Sequence, residues 1–180
     1  YDQYGNLSWV QSVGDGYTLG FPRSHFVTDS YGDIFVTAPY SKEAYFDEDT
    51  LFTSFSGIFL AKISGANGAI IWKKKLTNTN FINSIEIDGM TIDDHDTLYI
   101  SLNRSSGQFV VDGQSFNSVN SWNALAKFSP DGNIVFLTNT GNQLLNYQGE
   151  CRSIDYNSET KTISLALSEG YYTSASSCAS

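Results

Sequence analysis

The sequence is poor in the residues on which most catalytic and metal chemistry rests. Its 180 positions hold two His, two Cys and one Met. His25 stands beside Ser24 and near Asp29, but these residues straddle one predicted strand and need not converge. No Gly-x-Ser-x-Gly elbow is present, which counts against a hydrolase triad. No His-Glu-x-x-His pattern is present for zinc, nor a helix to carry one. No Cys-x-x-Cys suggests redox or zinc work, and Cys151 and Cys178 read equally well as one disulfide or as two thiols. The glycines of Gly14–Gly20 lack dinucleotide-loop spacing and any following helix, so this stretch reads as a linker between repeats.

Charge is scarce as well. Charged residues make up 16%, and ten basic against nineteen acidic residues leave a net charge of −9. Phosphate backbones repel such a surface, so nucleic acid is a poor partner. The one basic cluster, Lys73-Lys74-Lys75, closes an apolar run and reads as a solvated strand end. Apolar runs reach only four or five residues, against the roughly 20 that a membrane helix needs. With Tyr at position 1 and no signal-type segment, the chain reads as a processed or excised piece of something longer.

What the sequence has is aromatic and repetitive. Twelve Phe, eleven Tyr and three Trp supply a core and argue against disorder. Ser, Thr, Asn and Gly fill the polar positions, as in secreted β proteins. Tyr4-Gly5-Asn6-Leu7-Ser8-Trp9 aligns with Asn67-Gly68-Ala69-Ile70-Ile71-Trp72 and with Asp131-Gly132-Asn133-Ile134-Val135-Phe136. The glycine spacings are 68 − 5 = 63 and 132 − 68 = 64. Phe59–Ile63 aligns with Ala124–Phe128, and Ile34–Thr37 with Leu98–Ser101 and Thr162–Leu165.

Each repeat reads as four short strands, near 24–28, 33–38, 57–63 and 69–75, then 83–88, 97–102, 122–128 and 133–138. Tyr31-Gly32-Asp33 and Pro130-Asp131-Gly132-Asn133 are turns, because Gly accepts positive φ and Asp or Asn bonds its own backbone. No window keeps a 3.6-residue period, so essentially no helix is predicted. Four antiparallel strands at a fixed period are the pattern of a β-propeller blade. The predicted fold is therefore all-β and propeller-like. Residues 1–13 would end one blade, 14–76 and 77–140 would be whole blades, and 141–180 would begin another.

Asp-x-x-Gly-Asp-Ile-Phe-Val-Thr at 29–37, Gly57–Lys62 and Gly68–Trp72 resemble the repeat of bacterial seven-bladed β-propeller proteins. Gly107–Gly113 and Ala124–Phe128 extend the likeness into the second repeat. The resemblance covers nearly the whole chain, implies an exported or cell-surface protein, and brings no catalytic residue with it. Two features depart from it. The period exceeds the roughly 40–50 of common propeller repeats, because the connections 39–56 and 103–121 are long. Under three repeats are present, whereas closed propellers need about four to eight blades. The chain is thus expected to be a fragment, or to be completed by other copies.

The expected function is non-enzymatic: binding, adhesion or structural assembly at an extracellular surface, through the two long connections. Tyr40, Tyr45, Phe46, Phe52 and Phe109 are the candidate contacts for a protein, for copies of the chain or for a glycan. Alternatively these rings cover their own blade. Other readings are a carbohydrate-binding module, or part of an enzyme whose site lies in blades not present here. No cofactor is expected, with one exception: Asp93, Asp94 and Asp96 crowd hard oxygens into a turn and are the candidate calcium ligands. Asp47-Glu48-Asp49 is a weaker second cluster. Asn6-Leu7-Ser8 and Asn103-Arg104-Ser105 are glycosylation sequons if the source is eukaryotic.

Overall fold

A computed structural model describes residues 4–14, 24–78, 85–104, 108–116, 123–139, 149–169 and 172–176. These residues form fourteen strands and no helix. In chain order they are β1 (Val13–Gly14), β2 (His25–Thr28), β3 (Ile34–Phe46), β4 (Asp49–Ile63), β5 (Ile70–Asn78), β6 (Ile85–Ile92) and β7 (Leu98–Arg104). There follow β8 (Phe109–Val111), β9 (Gln114–Phe116), β10 (Asn123–Phe128), β11 (Ile134–Asn139), β12 (Gly149–Asn157), β13 (Thr162–Glu169) and β14 (Tyr172–Ser176). They build three antiparallel sheets, so the all-β expectation holds, and each strand expected at 24–28, 33–38, 57–63, 69–75, 83–88, 97–102, 122–128 and 133–138 overlaps an observed one, although β3 ends well after 38 and β4 begins well before 57.

The second sheet runs β6-β7-β10-β11 in spatial order, and the third runs β12-β13-β14. The first contains the same meander, β2-β3-β4-β5, with β1, β8 and β9 added at its borders. Register repeats as well. Lys62 pairs with Phe35 on one side and Trp72 on the other, and Lys127 pairs likewise with Tyr99 and Phe136. In both sheets the ammonium sits over the ring of the second strand, at 5.1 Å from Phe35 and 5.0 Å from Tyr99.

The turn between first and second strands is built alike in each sheet. Asp29 Oδ1 accepts the Tyr31 and Asp33 amides, Asp93 Oδ1 those of His95 and Thr97, and Asn157 Oδ1 those of Glu159 and Thr160. The three positions are 64 apart (93 − 29 and 157 − 93). A short acceptor that bonds the backbone two to four residues on is what makes Asx turns cheap.

The main core lies between the first two sheets and joins Phe35, Ile58, Leu60 and Leu76 to Ile87, Ile100, Leu102 and Phe128. A smaller cluster, Ile154 and Leu165 against Tyr99 and Leu125, joins the third sheet to the second. The first strands of the sheets lie side by side. His25 Nε2 is 2.9 Å from the Ile87 carbonyl, and a Cβ on Gly89 would meet Ile154 Cγ2 at 2.9 Å. Glycine at 89 is what lets β6 and β12 approach this closely.

The fourth strands carry a second kind of contact. The Trp9 indole donates to the Gly65 carbonyl at 2.8 Å and lies over Gly68. The Trp72 indole donates to the Pro130 carbonyl at 3.1 Å and lies over Gly132. Each tryptophan therefore docks on the turn before the fourth strand of the next sheet.

The described parts of the long connections are largely strand. Residues 39–56 continue β3 and β4 into one hairpin that closes at Asp47-Glu48. Its polar stretch and the bulge at Lys42 (φ 69°) conceal the alternation that would have marked it as strand. Part of 103–121 forms the hairpin β8–β9, turned by Asp112 and Gly113, both at positive φ. That hairpin leaves its own sheet and pairs with the end of β5. In the same way β1 pairs with the tip of β3. Each hairpin thus clasps the end of an earlier fourth-type strand.

Candidate functional site

The β3–β4 hairpin reaches beyond the strands that flank its base, and its two faces differ. Inward, Tyr40, Ala44 and Phe46 pack on Phe59 and Ala61 as a private core, with Phe46 and Phe59 edge to face at 5.0 Å. Outward, Tyr45 and Phe52 are 52% and 62% exposed. The alternation of a strand separates them, since Phe46 and Tyr45 are neighbours on opposite faces.

The five candidate aromatics are therefore divided. Tyr40, Phe46 and Phe109 are buried, and their rings serve packing rather than an outside partner. Phe109, fully buried, belongs to the core between the first two sheets. Tyr45 and Phe52 remain available. Glu43 lies opposite Phe52 in register, and its carboxylate accepts the Tyr45 hydroxyl, which holds the phenol pKa above its ordinary value. Asp47, Glu48 and Asp49 follow at the tip, so the exposed rings are bordered by acid. Inside, burial and the Asp112 carboxylate push the Tyr40 hydroxyl up to about 12.

The lysine run is bound into this hairpin and the β8–β9 hairpin and is not simply solvated. Lys73 pairs with Asp49 and sits 5.7 Å over the Phe46 ring. Lys74 reaches Asp112 at 3.3 Å, and Lys75 donates to the Phe52 carbonyl at 3.1 Å. A run of three lysines on a strand would ordinarily repel. Here the hairpin carboxylates and a carbonyl divide it.

The acidic turn after β6 disperses its carboxylates. Asp93 turns inward on the His95 and Thr97 amides and accepts the Tyr99 hydroxyl at 3.2 Å. Burial works to raise its pKa, but the two amides and the hydroxyl outweigh it and the group lies below its ordinary value. Asp94 pairs with Lys161 in the β12–β13 turn. Asp96 accepts the Ser30 amide at 2.8 Å and hydroxyl at 2.7 Å in the β2–β3 turn. One segment thus ties together the equivalent turns of all three sheets. Among the described residues no group of three or more His, Cys, Asp or Glu is placed to hold a metal ion.

A buried ion cluster escaped the sequence reading. Lys62 Nζ lies 2.7 Å from Asp29 and 3.5 Å from Asp33, with the Asp29 side chain fully buried. For Asp29 burial acts upward, and Lys62 with the Asp33 and Tyr31 amides overcomes it to leave the pKa lowered. For Lys62 burial acts downward, and the two carboxylates overcome it to leave the pKa raised. Asp29 and Lys62 are separated by about half a repeat (62 − 29 = 33), and the Asp29 turn together with the pairing of β3 and β4 brings them together. Cys151 and Cys178 fall outside the residues whose side chains are described. Among the described residues no helix is long and apolar enough to cross a membrane. No protein-family model, curated protein or solved structure matches the chain.

Proposed function

We propose that the chain is a non-enzymatic module of a β-propeller-like protein that acts at an extracellular surface by binding a protein partner through the tip of the β3–β4 hairpin. The observation that carries the proposal is the pair Tyr45 and Phe52, held exposed on one face of a hairpin whose other face is anchored by Phe46 and Phe59. Rigid, half-exposed aromatic rings gain contact area on binding at little cost in side-chain entropy. The acidic border of Glu43, Asp47 and Glu48 favours a partner surface that presents basic side chains around an apolar centre. Sheets that repeat one strand order, with their first strands side by side, support the propeller reading. The low charge and the Ser, Thr and Asn content support the extracellular one.

The test compares wild type with the Tyr45→Ser/Phe52→Ser double variant on arrays of immobilised extracellular proteins and of glycans. Binding to a protein that the double variant loses, with its melting midpoint unchanged, is the expected result. Binding confined to glycans transfers the site to the carbohydrate reading. Binding that survives the double substitution refutes this face as the contact.

A further inference from the structure

We infer that the outward face of the β3–β4 hairpin holds the guanidinium of a partner's arginine, laid flat between the Tyr45 and Phe52 rings and paired with Glu43. The inference rests on the proposal that this face binds a protein, and it names the side chain that is bound.

The first observation is the arrangement of four side chains. Glu43 lies opposite Phe52, and Tyr45 lies opposite Thr50. Residues two apart on a strand share a face, so the four form one patch, with the rings on one diagonal and Glu43 and Thr50 on the other. Diagonal positions of an antiparallel pair stand about 7–8 Å apart. Tyr45 and Phe52 accordingly make no ring contact with each other among the described residues. A flat group in van der Waals contact with two rings needs about 3.5–4.0 Å on each side of it. The diagonal therefore admits one planar group between the rings and leaves no room for a second.

The second observation is the charge around this slot. The Tyr45 hydroxyl donates to Glu43 and so fixes the carboxylate beside the phenol ring. An ionised carboxylate has about four acceptor sites, so Glu43 keeps capacity for further donors. Asp47 and Glu48 stand exposed at the turn, whereas Asp49 is already paired with Lys73. Two cations lie near as well: Lys75, turned to the Phe52 carbonyl, and Lys42, the extra residue of the bulge. Three carboxylates against these two leave the patch acidic, in a chain of net charge −9.

A planar cation satisfies both observations at once. The faces of aromatic rings are negative and attract cations. A guanidinium is flat and always charged, and it offers in-plane N–H groups to a carboxylate while its faces stack on rings. An ammonium carries the charge but is compact and strongly hydrated, and it cannot fill a flat slot. A sugar ring can stack on the aromatics but brings no charge for Glu43 to meet. The slot is also formed in advance, because Ala44 and Phe46 pack the opposite face of the hairpin on Phe59 and Ala61, so binding has little left to order.

Three blocked peptides, acetyl-Gly-Gly-X-Gly-Gly-amide with X as arginine, lysine or citrulline, separate the contributions. Lysine keeps the charge without the plane, and citrulline keeps the plane without the charge. Titrated into isotope-labelled protein at matched ionic strength, the arginine peptide should shift the amide resonances of Glu43, Tyr45, Thr50 and Phe52. It should bind about tenfold more tightly than either of the others. Glu43→Gln should reduce it to the level of citrulline, with the amide spectrum away from the hairpin unchanged as the sign of an intact fold. Equal binding of lysine and arginine would leave only a general attraction of charge. Equal binding of citrulline and arginine would remove Glu43, and shifts absent from these four residues would empty the slot. Each of these results overturns the inference. A protein held through Tyr45 and Phe52 that keeps its affinity after its arginines are chemically blocked refutes the arginine alone. Protein binding that does not depend on Tyr45 and Phe52 refutes the docking face beneath it.

Discussion

Trp72 lies so close over Gly132 that a Cβ at 132 would stand 3.0 Å from the indole Cδ2, while the indole nitrogen donates to the Pro130 carbonyl. Shape and hydrogen bond act on the same five-residue turn, and the contact joins the first sheet to the second. Gly132 also has φ +82°, which costs any other residue about 1 kcal/mol. Gly32 has the same φ and open space around it, and so isolates that cost.

Gly32→Ala is accordingly expected to lower stability by about 1 kcal/mol, and Gly132→Ala by about 1 kcal/mol more, because the indole must move. The excess should vanish in a Trp72→Ala background. Denaturant midpoints of the four variants measure this. An equal cost at both glycines would show that Trp72 exerts no pressure on the turn.

The Asp29–Lys62 pair predicts a particular pH dependence. Asp29 has a lowered pKa in the folded state, so its contribution is full above the ordinary carboxylate value near 3.9 and fades as pH falls through the folded value. Lys62 has a raised pKa, so its share is full below the ordinary value near 10.4 and fades as pH rises through the folded one. Asp29→Asn keeps the turn acceptor and removes the charge, as the third sheet does naturally with Asn157. It should cost about 2 kcal/mol at neutral pH, with the gap to wild type narrowing below about pH 4. A gap independent of pH would assign the cost to packing.

Tyr40 buries a hydroxyl that has no hydrogen-bond partner among the described residues. An unsatisfied buried hydroxyl costs about 1–3 kcal/mol, so Tyr40→Phe is expected to leave stability unchanged or raise it. In wild type, ultraviolet titration should find one tyrosine that ionises only at about pH 12 and that disappears in the variant. A clear fall in melting midpoint on substitution would reveal a partner for the hydroxyl.

Phe109 anchors the β8–β9 hairpin in the core between the first two sheets. Phe109→Ala should cost about 3–4 kcal/mol. It should also speed amide hydrogen exchange at Leu76–Asn78 in β5, the residues that pair with β8. Faster exchange in β10 and β11 without a change in β5 would place the effect in the second sheet alone.

Much of the fold can be read locally, and the limits are physical. The strands at 24–38 and 57–75 are visible because Val, Ile and Phe recur between turn residues, and the repeated glycines fix the period. The extended β3–β4 hairpin is obscured because Ser41, Lys42 and Glu43 interrupt the apolar pattern where the bulge falls. The β8–β9 turn did carry a signal: Asp112-Gly113 between Phe-Val-Val and Gln-Ser-Phe is the sequence of a two-residue hairpin. Its attachment to β5 carried none, since that depends on where another repeat's strand ends. The site shows the same division. The aromatic content of 39–56 marked the segment, but which rings face outward was decided by register, and Tyr45 and Phe46 differ by one residue.

The crossing of β8 into the first sheet sets the order in which a growing polypeptide can settle. Thr77 waits for Val110, 33 residues later in the chain (110 − 77), before the border of its sheet is sealed. On the ribosome, the first repeat must emerge complete and remain unsealed while about half of the next is made. Vectorial synthesis therefore cannot finish the first repeat by itself: its border is sealed by part of its successor.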